Sequence, residues 1–418
     1  MLFLSYSKVL NMKKFKSLWM PVLLVLVLFG ACTSPAEKTI VEINSLLEEL
    51  KEEYAPDERV EWWNLSAKEV EGAVVLSGEL ASKGVFEAVV SGVDNRFPDV
   101  RKELQLLPEV ESGAIVNGLV NNSVVHLRRE PSSKKELVTQ ARLGAPIRIL
   151  KTEGGKSLIQ VPDGYLGWVN TAELQALSSE ELAAYRQADK VVFTAQYGMT
   201  YSEADEESMP VSDLVIGNIL VRVSEEKEYS QVKYPDGRLA WVKSSELIPA
   251  SEVFHKTTLK ENLVQTAMKY HGIPYLWGGT SSKNIDCSGL ISNVYFLNGM
   301  QLPRDADMQA LIGKELDTDY VDGDLEPGDL LFFGRKASEG KDESVTHVAM
   351  YIGGGEFIHS AGWRERVSIN SMDSTQENFI ERYPEIFVRS VRILGEETIG
   401  FRPISENKFY QEIIAPSE

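Results

Sequence analysis

The sequence predicts a multidomain protein with a small α+β N-terminal region, two small β-barrels, and an α+β domain towards the C-terminal end. Three observations predict this organisation. A chain of 418 residues is too long for one hydrophobic core. A segment that occurs twice, each time after short β-type runs, indicates the barrels. Helical patterns followed by alternating strand patterns over 256–395 indicate the α+β domain, with 396–418 as a tail.

The barrels rest on an internal repeat. Residues 162–174 align with 235–247, and eight of the thirteen positions are identical. In each copy an Asp-Gly turn precedes a strand that contains Trp-Val. We therefore assign 111–176 to the first barrel and 190–250 to the second, with an acidic helical segment at 178–190 between them.

The region before the barrels, 37–110, carries no recognisable chemistry. Apolar residues at helical spacing predict a helix over 40–50. Apolar runs predict strands over 72–80 and 86–90. This pattern indicates a small α+β unit of unknown role.

The first 32 residues are typical of a lipoprotein leader. A basic segment, 13–16, precedes an apolar run, 18–29, which is short for a membrane span and typical of a signal peptide. Small residues then precede Cys32, as in a bacterial lipobox. We expect lipidation of Cys32 and a protein anchored in the cell envelope. An ordinary secretory signal with an incidental cysteine is the alternative.

Charge and cysteine content exclude other classes. The net charge of −19 argues against nucleic-acid binding, which requires basic patches. Cys32 and Cys287 are the two cysteines, so no disulfide framework is present, although a bridge between them is formally open.

Cys287 is the strongest candidate for a chemically active residue. It lies between a Gly-bounded loop at 275–279 and an apolar helical pattern at 289–297, which places it at a helix N-terminus. Unpaired backbone N–H groups at that position favour an anion, so we expect a lowered thiol pKa. His347 begins an alternating strand, and His359 follows twelve residues later. These residues indicate a cysteine hydrolase.

Two other interpretations of these residues stay open. A single cysteine before Ser-Gly is often a buried small hydrophobe. One cysteine and two histidines also suggest zinc, but a structural site requires a fourth ligand. We expect neither a metal nor an organic cofactor.

Six ordered motifs resemble those of NlpC/P60 peptidases. They are Tyr-Leu-Trp-Gly-Gly at 275–279, Asp-Cys-Ser-Gly at 286–289, Leu-Pro-Arg-Asp at 302–305, Pro-Gly-Asp-Leu at 327–330, His-Val-Ala-Met-Tyr at 347–351 and Ile-His-Ser at 358–360. The repeats are similar to bacterial SH3 (SH3b) domains. The combination resembles the γ-D-glutamyl-L-diamino acid endopeptidase branch, or dipeptidyl-peptidase VI. It implies a papain-like catalytic domain that cleaves γ-D-Glu–diaminopimelate or γ-D-Glu–L-Lys bonds in murein stem peptides.

The resemblance also implies roles for residues around Cys287. Cys287 would be the nucleophile and His347 the general base, with His359 orienting the imidazole. The Tyr275 hydroxyl and the backbone N–H of Cys287 would stabilise the oxyanion.

The same resemblance implies a substrate pocket. Its expected members are Asp286, Ser288, Trp277 and Asp305 in the catalytic domain, with Tyr165 and Glu136 in the first barrel. Asp286 and Glu136 would pair with the free ammonium of an N-terminal L-Ala.

Three positions depart from the family pattern. Ala306 stands where the branch commonly has Ser, and Val138 stands where it has an acid, for which Glu136 is expected to substitute. Arg238 replaces the tyrosine in the second repeat, so only the first barrel keeps a residue that faces substrate.

Three functions remain to be distinguished. The first is removal of L-Ala-γ-D-Glu from free murein peptides, the second is binding of peptidoglycan without catalysis, and the third is hydrolysis of intact polymeric murein. The intact set of Cys287, His347, His359 and Tyr275 favours an enzyme. The expected partners are murein stem peptides and, through the lipid anchor, a membrane. We expect a monomer.

Overall fold

A computed structural model of the chain describes residues 34–108, 116–316, 324–395 and 401–414. The predicted leader and its Cys32 lie outside the described residues, as does part of the tail at 396–418. Among the helices of the described ranges, none is both long and apolar enough to cross a membrane.

The N-terminal unit is a three-stranded sheet packed against two helices. Strand β1 pairs antiparallel with β2, and β2 pairs parallel with β3 through the helix between them. Ser34 and Glu37 form a capping box at the start of the first helix. The elements are α1 (Pro35–Tyr54), β1 (Trp63–Val70), β2 (Ala73–Leu80), α2 (Lys83–Arg96) and β3 (Arg101–Leu106).

The strand predicted at 86–90 is wrong, because these residues belong to α2. Val85, Val89 and Val93 are buried on one face of this helix at four-residue spacing. This helix is the crossover that connects the parallel strands β2 and β3. A short apolar run does not show whether the neighbouring strands are parallel, so it cannot predict such a helix.

Two seven-stranded antiparallel sheets follow, joined by α3 (Ser179–Gln187). The first β-unit consists of β4 (Asn117–Val120), β5 (Val124–Arg128), β6 (Leu137–Arg142), β7 (Pro146–Glu153), β8 (Lys156–Gln160), β9 (Leu166–Asn170) and β10 (Leu174–Leu177). The second β-unit consists of β11 (Lys190–Phe193), β12 (Tyr197–Tyr201), β13 (Pro210–Val215), β14 (Ile219–Glu226), β15 (Tyr229–Lys233), β16 (Leu239–Lys243) and β17 (Leu247–Pro249).

The two β-units have the same topology. The first has the order β10-β4-β7-β8-β9-β5-β6, and the second has the order β17-β11-β14-β15-β16-β12-β13. Each strand of the second unit thus takes the place of the strand seven numbers lower in the first. The sequence repeat falls on equivalent strands, β9 and β16. The expected barrels are not closed, since the outer strands of each order do not pair with each other in the described ranges. A repeat identifies equivalent strands, but it does not determine whether the outer ones meet.

The C-terminal unit confirms the predicted order of helices first and antiparallel sheet afterwards. Its six-stranded sheet has the order β21-β26-β22-β23-β24-β25. Its helices are α4 (Ala250–Phe254), α5 (Lys260–Met268), α6 (Cys287–Phe296), α7 (Ala306–Gln309), α8 (Arg382–Ile386) and α9 (Lys408–Gln411). The sheet strands are β21 (Lys314–Leu316), β22 (Leu330–Arg335), β23 (Ser344–Gly353), β24 (Glu356–Ala361), β25 (Arg366–Ser371) and β26 (Phe387–Arg392). Two short ladders pair β18 (Thr280–Ser281) with β19 (Asn284–Ile285) and β20 (Met300–Gln301) with β27 (Arg402–Pro403).

Helix α6 lies at the centre of this unit. Most of its residues are buried, and it packs against β23 and β24 on one side and α5 on another. This packing fixes the start of α6 relative to the sheet.

Candidate active site

Cys287 is the first residue of α6, as the sequence predicts. Asp286 caps the helix, because its Oδ1 accepts the Gly289 N–H at 2.7 Å. The Cys287 sulfur lies against two backbone N–H donors, those of Ser288 and of Val348 on β23. The thiol is therefore held between the helix start and the strand that carries His347.

The expected lowering of the Cys287 pKa is wrong. Burial raises the pKa of the thiol to about 12, and the carboxylate of Asp286 acts in the same direction. The backbone donors of Val348 and Ser288 and the charge of Arg304 act against this shift but are smaller. Desolvation of a thiolate outweighs the helix terminus, a cost that the sequence pattern does not contain.

His347 and His359 form the first link of a hydrogen-bonded chain. His347 Nε2 lies 2.8 Å from His359 Nδ1, and His359 Nε2 lies 3.0 Å from Asn370 Oδ1. The Asn370 side-chain nitrogen donates to the carbonyl of Asn378 at 3.2 Å. His359 and Asn370 are both buried.

These hydrogen bonds determine the tautomers of both imidazole rings. Because the Asn370 nitrogen is a donor to a carbonyl, its Oδ1 is the acceptor, and His359 Nε2 carries a hydrogen. His359 Nδ1 then accepts the Nε2–H of His347. His347 Nδ1 is left without a hydrogen, which makes it a base.

Both histidines are neutral at pH 7. The side chain of His347 is only partly exposed, and its desolvation lowers the pKa of the imidazole well below the usual value. The charges of His359 and Arg382 lower this pKa further. Burial lowers the pKa of His359 to about 4, although the hydrogen bond that its Nε2–H donates to Asn370 acts in the opposite direction. Because Cys287 is also protonated, the thiol and both imidazoles are neutral.

Tyr383 is a further neighbour that the sequence analysis missed. Its hydroxyl lies 3.2 Å from His359 Nδ1 and accepts the indole N–H of Trp363 at 2.9 Å. Its ring stacks on that of His347, with centroids 6.0 Å apart. Tyr383 and Asn370 lie in segments without a motif, so no sequence signal indicated them.

Arg304 is buried beside the nucleophile and organises its flanking residues. Its Nη2 donates to Asp286 Oδ2 at 2.7 Å and its Nη1 to Ser288 Oγ at 2.9 Å. Asp286 Oδ2 also accepts the Gly278 N–H at 2.9 Å. The charge of Asp286 is thus already compensated by a buried guanidinium.

A cavity of about 460 Å³ opens over Cys287. Eight of the predicted site residues line it. They are Glu136, Tyr165, Tyr275, Trp277, Asp286, Cys287, Ser288 and Asp305. Arg59, Arg129 and Asp307 add charge to its wall, and Val138 and Ala306 add apolar surface. Two of the three departures from the family pattern, Val138 and Ala306, therefore face the cavity.

The first β-unit forms one wall because β6 docks on the loop before Cys287. The Thr280 N–H donates to Gln140 Oε1 at 2.8 Å, and Arg304 Nε donates to Thr139 Oγ1 at 2.8 Å. Gly278 has a φ of +77°, and a Cβ there would lie 2.6 Å from the carbonyl oxygen of Leu137. A glycine is required at this contact.

Glu136 lies at the rim of the cavity and already has two partners. Arg129 Nε donates to it at 2.7 Å and the Trp277 indole N–H at 3.1 Å. The bond from Arg129 holds the pKa of this carboxyl below its usual value. Glu136 thus joins the first β-unit to Trp277, which is 62% exposed.

Asp305 is contacted from two other units. The Tyr165 hydroxyl donates to its Oδ2 at 3.0 Å, and Arg59 Nη1 donates to the same atom at 2.9 Å. Burial raises the pKa of Asp305, and the charges of Arg304 and Arg59 lower it. Arg59 belongs to the N-terminal unit, for which the sequence indicates no role.

Tyr275 and Arg238 lie in different environments. Tyr275 lines the cavity near Cys287, where burial raises the pKa of its hydroxyl. A Cβ on Gly362 would lie 3.3 Å from the Tyr275 ring. In the second β-unit, Arg238 pairs with Asp236 and stacks on Tyr234, away from the cavity.

Over the described part of the chain, no group of three or more His, Cys, Asp or Glu residues could hold a metal ion.

The fold and this site define a cysteine peptidase, in which a thiol at a helix start lies against the strand of an antiparallel sheet that carries a histidine. Residues 272–383 match the NlpC/P60 family, and 127–174 match the bacterial dipeptidyl-peptidase SH3 domain. A probable endopeptidase NlpC of Escherichia coli is 33% identical over 31% of this chain and 81% of its own length. The chain belongs to the NlpC/P60 family.

A curated relative and a solved structure are similar over a longer part of the chain. A γ-D-glutamyl-L-lysine dipeptidyl-peptidase of Bacillus cereus is 29% identical over 60% of this chain and 75% of its own. The crystal structure of an NlpC/P60 family protein from Bacillus cereus ATCC 10987 has a TM-score of 0.57 and 25% identity. It covers 66% of this chain and 99% of its own.

Proposed function

We propose that this protein is a cysteine peptidase that hydrolyses the γ-D-Glu–diamino acid bond of murein peptides with a free N-terminal L-Ala. Cys287 lines a cavity that two other units also line, and the adjacent sheet carries the hydrogen-bonded residues His347, His359 and Asn370; this arrangement carries the proposal. Relatives named γ-D-glutamyl-L-lysine dipeptidyl-peptidase support the bond and the substrate class.

The first half of the reaction transfers the acyl group to the enzyme. The Cys287 sulfur attacks the γ-carbonyl carbon of D-Glu while its proton passes to His347 Nδ1. The proton moves during attack because the resting pair is neutral. The Tyr275 hydroxyl and the Cys287 N–H stabilise the oxyanion, and each donor typically contributes about two orders of magnitude or more to turnover. His347 then protonates the leaving amine as the C–N bond breaks.

The second half releases the dipeptide. Water attacks the thioester carbonyl and gives a proton to His347, which returns it to the departing sulfur. The products are L-Ala-γ-D-Glu and the shortened peptide. His359 holds the Nδ1 base of His347 towards Cys287 in both halves.

The substrate's ammonium is assigned to Asp305 in this proposal. The sequence analysis expects Asp286 and Glu136 as partners, but the Asp286 carboxylate is already bound by Arg304 and by the Gly278 and Gly289 N–H groups. Asp305 faces the cavity and has one oxygen without a hydrogen bond among the contacts described above. Glu136 stays at the rim, where its charge adds to the attraction.

The proposal extends to the architecture and the location of the protein. The shared strand order and the repeat support a second SH3b domain in the second β-unit. The leader pattern that ends at Cys32 supports a lipid anchor in the cell envelope. Recycling of short murein peptides at that surface is the corresponding role.

Mass spectrometry of peptide digests tests the proposed reaction. L-Ala-γ-D-Glu-L-Lys, its meso-diaminopimelate counterpart and N-acetylmuramyl-linked forms are incubated with wild-type protein and with Cys287→Ala. We expect L-Ala-γ-D-Glu to be released from the free-amine peptides by the wild type only. Cleavage of linked forms at equal rates would indicate a hydrolase of polymeric murein, and cleavage of none would overturn the proposal.

A further inference from the structure

The N-terminal unit reaches the cavity through the segment between α1 and β1. The Arg59 carbonyl accepts the Leu166 N–H of the first β-unit at 2.8 Å, and the Val60 carbonyl accepts from Gln160 at 3.2 Å. Trp62 packs edge-on against Trp168, with centroids 6.4 Å apart. These contacts fix the backbone of this segment beside Tyr165.

The Arg59 guanidinium uses all its donors within one cluster of carboxylates. Its Nε and Nη2 donate to Asp57, at 2.9 Å and 2.7 Å. Its Nη2 and Nη1 each donate to Asp307 at 2.9 Å, and Nη1 also donates to Asp305 at 2.9 Å. A guanidinium has five N–H groups, so Arg59 has none left for a substrate carboxylate.

The cluster stays anionic, and it leaves one oxygen of Asp305 available. Three carboxylates, those of Asp57, Asp305 and Asp307, surround one guanidinium. Asp305 Oδ2 accepts from both Arg59 and Tyr165. Asp305 Oδ1 lies 3.8 Å from Arg304 Nη1, which is beyond hydrogen-bond distance.

We propose that Arg59 is a positioning residue of the active site, which orients Asp305 so that its Oδ1 receives the ammonium of the substrate. The N-terminal unit thereby takes part in substrate selection. This inference rests on the proposed cleavage of peptides with a free N-terminal amine. It gives the first 75 described residues, 34–108, a role in the reaction.

The electrostatics of the cluster make the role measurable. Asp305 must be ionised to bind an ammonium group. Burial raises its pKa, and the charges of Arg304 and Arg59 and the hydrogen bond from Tyr165 lower it. The charged and titratable groups that interact with Asp305 are Arg59, Arg129, Asp163, Tyr165, Arg304 and Asp307. Loss of Arg59 removes one positive charge, so the pKa of Asp305 rises and ammonium binding is lost at a higher pH than in the wild type.

The test compares Arg59→Ala and Arg59→Lys with wild-type protein by measuring kcat and KM between pH 5 and 8. The substrates are L-Ala-γ-D-Glu-L-Lys and its N-acetyl form. Arg96→Ala is the matched control, since Arg96 is in the same unit and pairs with Glu49 at the surface. For Arg59→Ala we expect KM of the free-amine peptide to rise about tenfold at pH 7 and further at pH 6, with kcat little changed. Arg59→Lys keeps the positive charge but loses the planar guanidinium that binds several carboxylates at once. Its KM should therefore lie between those of the wild type and Arg59→Ala.

The outcomes separate this inference from the proposed function. A wild type that cleaves both peptides equally well would overturn the free-amine specificity itself. A discriminating wild type whose selectivity and pH profile survive in Arg59→Ala would overturn the role of Arg59 alone. Circular dichroism checks the fold of each variant. If Arg59→Ala is unfolded, Arg59→Lys and Asp57→Asn take its place in the assay. Selectivity for the free-amine peptide over its N-acetyl form that is unchanged in both variants would reject the inference.

Discussion

His347 Nε2 lies 2.8 Å from His359 Nδ1, and the hydrogen between them belongs to His347 because Asn370 fixes the tautomer of His359. The consequence is that His347 Nδ1 carries no hydrogen, as the proposed role of His347 as general base requires. Asn370 contacts His359 but not His347. A substitution of Asn370 that alters the protonation of His359 should nevertheless impair His347 as a base.

Asn370→Asp should lower kcat by about 10²-fold or more at pH 6. A carboxylate at this position favours the imidazolium form of His359, which raises its pKa from the low value set by burial. Protonated His359 donates from Nδ1 to His347 Nε2, so the hydrogen of His347 moves to the Nδ1 that should act as base. Activity should recover as the pH rises above the new pKa of His359.

Asn370→Ala separates this effect from simple loss of packing. It removes the acceptor without adding a charge, so we expect a smaller fall in kcat with a similar pH profile to the wild type. Both variants are assayed from pH 5 to 9 on the same peptide. Equal profiles for the two variants would contradict the tautomer argument.

Cys287 should react slowly with iodoacetamide at neutral pH. Because its thiol has a pKa of about 12, the thiolate fraction, and with it the alkylation rate, should rise about tenfold per pH unit between pH 7 and 10. Peptide mass spectrometry distinguishes Cys287 from Cys32. A rate that stays constant from pH 5 to 8 would instead indicate a preformed thiolate–imidazolium pair.

The sequence predicts the frame of this site well. The placement of Cys287 at a helix start and of His347 and His359 on strands depends on local periodicity, and the structure confirms it. The pKa of Cys287 could not be predicted in the same way. It depends on burial of the thiol in the folded domain, and the resulting desolvation outweighs the local helix terminus.

Arg59 shows the same limit more clearly. It lies in a segment without a motif, and its partners Asp305 and Asp307 are nearly 250 residues away. An isolated arginine in an acidic chain has no periodicity that distinguishes it from a solvated surface residue. Only the docking of the N-terminal unit on Leu166 and Trp168 brings it to the cavity.

The protein should lose stability as the pH falls from 6.5 to 4. Unfolded His359 has an ordinary pKa of about 6.5, whereas in the folded state burial lowers this pKa to about 4. Between these values the unfolded state binds more protons, so the free energy of unfolding falls with falling pH, by up to about 1.4 kcal/mol per unit for one histidine. Urea unfolding at pH 7, 6 and 5 measures this slope.

His359→Gln should reduce that slope without abolishing it, because it removes one of two histidines whose pKa the fold lowers, and His347 keeps its share. His271→Gln is the matched control, since His271 is exposed at the end of a helical segment. We expect the control to keep the wild-type slope. A slope that is equal in wild type and His359→Gln would show that other groups set the acid stability.

Arg304→Met should destabilise the fold by about 3–5 kcal/mol, because it leaves Asp286 buried without its ion-pair partner. Arg304 is 1% exposed, and its Nη1 and Nη2 bind Asp286 at 3.2 Å and 2.7 Å. Asp286→Asn removes the orphaned charge and keeps a side chain that caps α6. The double variant should therefore be more stable than the sum of the two single losses predicts, by at least about 1 kcal/mol. Urea unfolding of all four proteins at pH 7 completes the cycle, and additive losses would show that the pair is not coupled.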